Sequence, residues 1–194
     1  MKRSKEETNE TISQLKKIAR KHFAEHGYSA TVLDEIVKEA RLTRGAVYHH
    51  FGSKKGLFLA VLESVQSEVA EKVEAESGKS KDVWDQLILG CRAFVTTAVE
   101  PKNKRIMLID GPSVLGWETW RSMDEQGSMQ LLYEQLQLMQ QQGYFESVSI
   151  DALTHILSGA LNEATLWIAH RPNVAESVEE TMKIISLLLE RFKS

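Results

Sequence analysis

The 194-residue chain has one cysteine, three prolines and few aromatic residues. A single cysteine excludes an internal disulfide framework. Cys91 sits among Ile88, Phe94 and Val95 at helical spacing, which suits an inert core thiol better than a nucleophile. Scarce proline and no sustained period-two alternation point to an all-α chain. There is no signal peptide, lipidation motif or apolar run of membrane-spanning length, so the expectation is a soluble, cytoplasmic protein without a membrane partner. Phosphate loop, nucleophile elbow and dinucleotide fingerprint are also missing, and neither a cofactor nor enzymatic activity is expected. The segment His22-Phe-Ala-Glu25-His26 matches a zinc-protease pattern in form. Gly27 ends that helix at once, and Phe23 and Ala19 mark the same surface as core, so no metal is expected there. His49 and His50 point to different sides of a helix and cannot chelate together.

Charge is present but unevenly placed. The net charge of −3 gives no hint of a polyanionic partner. Residues 1–55, however, hold 12 Lys/Arg against 7 Asp/Glu, and the rest hold 12 against 20. A basic end on an acidic body steers one end of a molecule toward phosphate.

The basic end contains the most informative segment, Thr31 to Phe51. Thr31 suits an N-cap, with Asp34 adding favourable charge at the helix N-terminus. Leu33, Ile36, Val37 and Ala40 recur at helical spacing, Leu42 plugs a turn, and Thr43 caps a second short helix over Arg44–His50. Ser53 caps again, and Lys54 and Lys55 open a helix continuing through Leu57, Phe58, Val61, Leu62 and Val65. Two helices this short cannot form a core alone, so the unit reads as a helix-turn-helix mounted on a larger body. Arg44, Lys54 and two helix N-termini place charge and free N–H donors on one side, while Tyr48, His49 and His50 add hydrogen-bonding aromatics. A solvated helical hairpin with incidental charge is the plainer alternative.

From roughly Ile12 to Ala60 the chain resembles the N-terminal domain of TetR/AcrR-family transcriptional regulators. The matching residues are Ala19, Phe23, Gly27-Tyr28, Thr31, Ile36, Leu42 to Phe51, Ser53-Lys54 and Leu57-Phe58. The resemblance implies that Arg44–His50 is a recognition helix. It implies backbone contacts from Thr31, Thr43, Tyr48, His50 and Lys54, and places Arg44, Gly45, Ala46 and His49 nearer the bases. Two departures stand out. Val32 replaces a usual Ser or Thr, removing one phosphate hydroxyl, and Arg41 replaces a usual turn Gly. A non-Gly residue in a left-handed turn costs about 1 kcal/mol, part of which Arg41 can recover as a phosphate contact.

The rest reads as a helical body, giving about nine helices in all: a three-helix head over 1–53 and an effector-binding and dimerisation domain over 54–194. Helix 1 is expected over about Lys5–His26, with Met1 to Glu10 polar and frayed and Lys2, Arg3 and Lys5 within reach of a minor groove. Later helices are expected over about 54–77, 81–99, 103–110, 117–142, 150–170 and 174–192, the last two capped by Ser149 and Asn173. Those two helices are apolar on more than one stripe, through Ile156, Leu157, Trp167, Ile168, Ile185, Leu188 and Phe192 among others. A helix with two apolar faces needs a second partner, and a homodimer through this pair is the expectation. The resemblance implies the same pair. The middle is rich in tryptophan and methionine, and Phe94, Met107, Asp110, Trp117, Trp120, Met123 and Asn162 are the candidate ligand-binding residues for a small apolar effector. The reading is therefore a ligand-responsive regulator, in outline a repressor, that binds double-stranded DNA at a pseudo-palindromic operator. The alternative is a constitutive dimeric DNA-binding protein whose body serves dimerisation only.

Overall fold

The computed structural model describes residues 5–192. Lys2 and Arg3, the expected minor-groove residues, lie outside this range, and the Lys5 side chain is also outside it. All regular structure among the described residues is helical. The chain packs as two compact units: residues up to Val65 together with Pro101–Trp120, and Gln66–Glu100 together with Arg121 onward.

The first unit opens with α1 (Lys5–Ala30), α2 (Leu33–Glu39) and α3 (Arg44–Phe51). Residues 5–10, expected to fray, are already helical. α1 is interrupted at Gly27, whose φ of 80° and ψ of 165° lie outside helical space, so its regular part ends where the sequence places the stop. Its Leu15, Ala19 and Phe23 are fully buried, as are Ile36 of α2 and Val47 of α3. α4 (Lys54–Ser77) begins here and contributes Leu57, Phe58, Leu62 and Val65 to the same core before continuing into the second unit. Phe23 and Phe58 meet edge to face at 5.2 Å, a favoured aromatic geometry.

The segment 101–120 completes this unit, although it lies far along the chain in the region read as body. It contains α6 (Pro101–Lys104), a π-helical turn over Arg105–Asp110, α7 (Gly111–Leu115) and the start of α8 (Trp117–Glu125). Ile106, Met107 and Leu108 are buried, and Arg20 donates to Asn103 Oδ1 at 2.6 Å. Asp110 accepts the Tyr28 N–H at 2.8 Å, and Arg105 donates to the Glu25 carbonyl at 2.9 Å. Both bonds hold the chain around the Gly27 interruption.

The second unit holds α5 (Val83–Ala98), α9 (Ser128–Gln141), α10 (Ile150–Ile168) and α11 (Val174–Glu190) with the latter part of α4. Asp82 caps α5 by accepting from the amides of Trp84 and Asp85. Ser149 and Asn173 accept from Ala152 and Glu176, satisfying orphan donors at the starts of α10 and α11. The single helix expected over 117–142 is two, α8 and α9. Gly127 adopts φ −109° and ψ −124° between them, a backbone state that no helix accommodates. α5 packs against α9, α10 and α11, and the Arg92–Glu179 ion pair ties it to α11.

Candidate nucleic-acid interface

The head is built around the α2–turn–α3 hairpin. Leu33, Ile36 and Val37 turn inward from α2 and Val47 from α3, which leaves the opposite faces to water. The turn between them needs a left-handed residue, and Arg41 supplies it at φ 54°. The exposed side of α3 then presents Arg44, Gly45, Tyr48 and His49, while Ala46 and His50 are half-buried. His49 and His50 lie edge to face at 4.8 Å.

Thr43 stands at the N-cap of α3 with extended backbone, yet its hydroxyl makes no capping bond. That hydroxyl is exposed and free of the local bond that would compete with an external anion. Thr31 is placed otherwise than expected. The N-cap of α2 is Val32, and Thr31 is only 2% exposed, with its hydroxyl donating inward to the carbonyls of His22 and Gly27. Its side chain closes the end of α1 and is not available to phosphate.

Lys54 rests with Nζ 4.4 Å from the centre of the Tyr28 ring, which itself packs on Phe23 and Phe58. Partial burial lowers the Lys54 pKa from its ordinary value. This seat fixes the ammonium beside the N-terminus of α4, where Ser53 Oγ accepts the Gly56 N–H at 2.9 Å. Gly56 is required by space: a Cβ there would stand 1.9 Å from the Phe51 carbonyl oxygen.

Arg44 is held by Asp34 across the hairpin through a two-pronged ion pair. The Arg44 hydrogen bond holds the Asp34 carboxyl below its ordinary pKa. Sequence reading placed both residues on the same unit without pairing them. They are ten apart, and only the geometry of the turn brings them together. Tyr28 as the seat of Lys54 was missed for the same reason. His22 is buried and pairs with Glu39 at 2.8 Å, while its ring centre lies 6.0 Å from that of His26.

The second unit contains a cavity of about 230 Å³ between α4, α5, α9 and α10. Of the candidate ligand residues, Phe94 lines it. Met107, Asp110, Trp117 and Trp120 belong to the first unit, where Trp120 is buried and donates its indole N–H to the Met107 carbonyl at 2.7 Å, and Trp117 is 64% exposed. Met123 and Asn162 are half-buried in the second unit but do not line the cavity. Residues that do, such as Leu87, Leu131 and Gln135, carried no sequence signal beyond helical periodicity.

Comparison with known proteins agrees with this geometry. The model for "Bacterial regulatory proteins, tetR family" matches residues 17–61, and "Tetracyclin repressor-like, C-terminal domain" matches residues 84–192. A TetR-family transcriptional regulator from Pectobacterium atrosepticum is 35% identical, with 98% of each chain covered and a TM-score of 0.79. The HTH-type transcriptional regulator TtgR of Pseudomonas putida is 37% identical over 112 residues, covering 55% of this chain and 51% of that protein. The HTH-type transcriptional regulator AcrR of Shigella flexneri is 39% identical over 69 residues, covering 36% and 32%. The chain thus matches no more than about half the length of these two regulators. The fatty acid degradation regulator FadR of Bacillus halodurans, 18% identical with a TM-score of 0.77, shares the fold. The chain belongs to the TetR family of transcriptional regulators. No helix among the described residues is long and apolar enough to cross a membrane.

Proposed function

We propose that the chain is a ligand-responsive repressor that binds a pseudo-palindromic DNA operator as a homodimer and is released by a small effector. The observation that carries the DNA reading is the exposed row Thr43, Arg44, Tyr48 and His49 with the seated Lys54 beside it, on a hairpin whose opposite side is fully packed. Such a row puts charge and donors against phosphate and leaves the start of α3 to face base edges. Arg41, Gly45, Ala46 and His50 complete the surface.

The dimer is formed by α10 and α11. Ile156, Ile184, Leu187 and Leu188 are all more than half exposed and Trp167 is 44% exposed, far more apolar surface than a monomer leaves on two adjacent helices. Gly159 and Ala160, also exposed, permit close approach of a second copy. Two-fold pairing of these helices gives a four-helix bundle and presents two heads to half-sites about one DNA turn, roughly 34 Å, apart.

The cavity supports control by an effector. Val73, Glu74 and Ser77 of α4 line it, and the same helix begins at Lys54. Effector binding that shifts α4 alters how the heads meet the operator. A hundredfold loss of operator affinity requires about 2.7 kcal/mol of preference for the free state. The test is fluorescence anisotropy on an operator obtained by in vitro selection. Wild type binds as a dimer, and Lys54→Ala weakens binding across all sequences. Unchanged affinity in that variant removes the proposed docking. An effector that binds free and operator-bound protein equally removes the proposed control and leaves a constitutive DNA-binding dimer.

A further inference from the structure

We propose that the cavity of the second unit selects an amphipathic amine over a carboxylate of the same shape. The proposal rests on the effector reading above and adds the charge class of the ligand. The inner wall is apolar: Leu87, Cys91, Phe94 and Leu161 are each less than 10% exposed. Three polar groups on the wall have hydrogens turned back on the protein. Gln86 Nε2 donates to the Ser80 carbonyl at 2.9 Å. Gln135 Nε2 donates to the Val83 carbonyl at 2.8 Å and to Gln86 Oε1 at 3.3 Å. The Ser77 hydroxyl donates to the Glu74 carbonyl at 3.1 Å.

Those groups thus hold donors back from a ligand, and the donors left on the wall are the neutral hydroxyl of Ser128 and the amides at the start of α9. The charged groups that line it are two carboxylates, Glu74 and Glu134, both exposed, and among the described residues no Lys, Arg or His lines it. Glu134 accepts from Gln130 at 2.8 Å, and neither carboxylate has a salt-bridge partner among the described residues. Arg121, which reaches Ser158 on the cavity wall at 3.3 Å, is committed to Asp124 at 2.9 Å and to His155 at 3.0 Å.

An entering carboxylate would lose its hydration and face two like charges, each unfavourable. An ammonium would keep its head near the two glutamates and bury its apolar part. The cavity's 230 Å³ falls below the range of about 300–1,000 Å³ typical of drug-sized sites, so one ring on a short chain is the fitting size.

The experiment is isothermal titration of the full chain with three probes alike in shape: 4-phenylbutylamine, 4-phenylbutanol and 4-phenylbutanoate. The amine is expected to bind about tenfold more tightly than the alcohol, and the carboxylate most weakly. The double variant Glu74→Gln/Glu134→Gln should bring the amine to the alcohol's affinity while leaving the alcohol unchanged, which also reports that the fold is intact. Leu132→Trp, which fills the cavity, should abolish binding of the amine and the alcohol. Equal binding of all three probes, or preference for the carboxylate, overturns the charge class and leaves the effector cavity standing. Binding untouched by Leu132→Trp places the probes elsewhere and overturns the proposal. Binding of none overturns both this class and the effector reading.

Discussion

The Asp34–Arg44 pair sets a condition on recognition that neither residue imposes alone. In the proposed docking Arg44 exchanges a carboxylate for DNA, and Asp34, its partner in the free protein, would repel phosphate. Asp34→Asn removes the competitor and a repelling charge, so operator and non-specific affinity should both rise in anisotropy titrations at fixed salt, with the larger gain for non-specific DNA. Lys54→Ala should lower affinity uniformly and reduce the slope of log affinity against log salt by about one. Tyr28→Leu removes the ring under Lys54 and should lower affinity less than Lys54→Ala does. Cys91 makes a further residue-scale test. Burial pushes its thiol up to about 12, so the thiolate that reacts with disulfide reagents is scarce at neutral pH. It should label slowly in the folded protein and much faster once the second unit is unfolded.

At the scale of elements, α10 and α11 carry the clearest expectation. Ile156→Asp with Leu188→Asp puts charge on both exposed apolar faces and should give a folded monomer in sedimentation, with operator binding lost because two heads are no longer joined. Gly56→Ala should destabilise the protein by about 1–3 kcal/mol in thermal or denaturant unfolding, since the start of α4 must move away from Phe51. Sequence periodicity made these helices and their caps legible: Ser149 and Asn173 cap as read, and Arg41 adopts the left-handed turn that its position demanded. Periodicity states that a face is buried, not what buries it. Trp117 and Trp120 carry the same signal, yet one is exposed and the other buried against Gly111 and the Met107 carbonyl. The Gly127 break was missed because one glycine among good helix formers costs only about 1 kcal/mol and does not by itself announce an end. The helix-turn-helix was readable because its motif is local in sequence. The cavity was not, because its wall draws single residues from four separated helices.

For the molecule as a whole, acid has two opposing effects. Asp124 is 3% exposed, and burial raises its pKa above the ordinary 3.8, with the Arg121 charge acting against that rise. Its folded form therefore holds a proton more firmly than its unfolded form. The contribution to stability is fully present below about 3.8 and is lost as pH rises through the raised folded value. Glu76, Glu39 and Glu179 shift the other way and favour the folded state above the carboxylate range. In unfolding measured across pH, the stability of wild type relative to Asp124→Asn should be greatest in acid, decline as pH rises past 3.8, and then level off. A flat difference would mean that the fold does not raise the Asp124 pKa. The allocation of residues 101–120 to the first unit has a consequence for anyone who would transplant this head onto another body. A fusion cut after residue 53 or 65 carries α3 away from Asp110 and Arg105, which hold the chain on either side of Gly27. Hydrogen exchange at the Tyr28 amide should rise in Asp110→Ala just as it would in such a fusion. A portable head is thus a discontinuous module, and a working chimera must carry two stretches of this sequence rather than one.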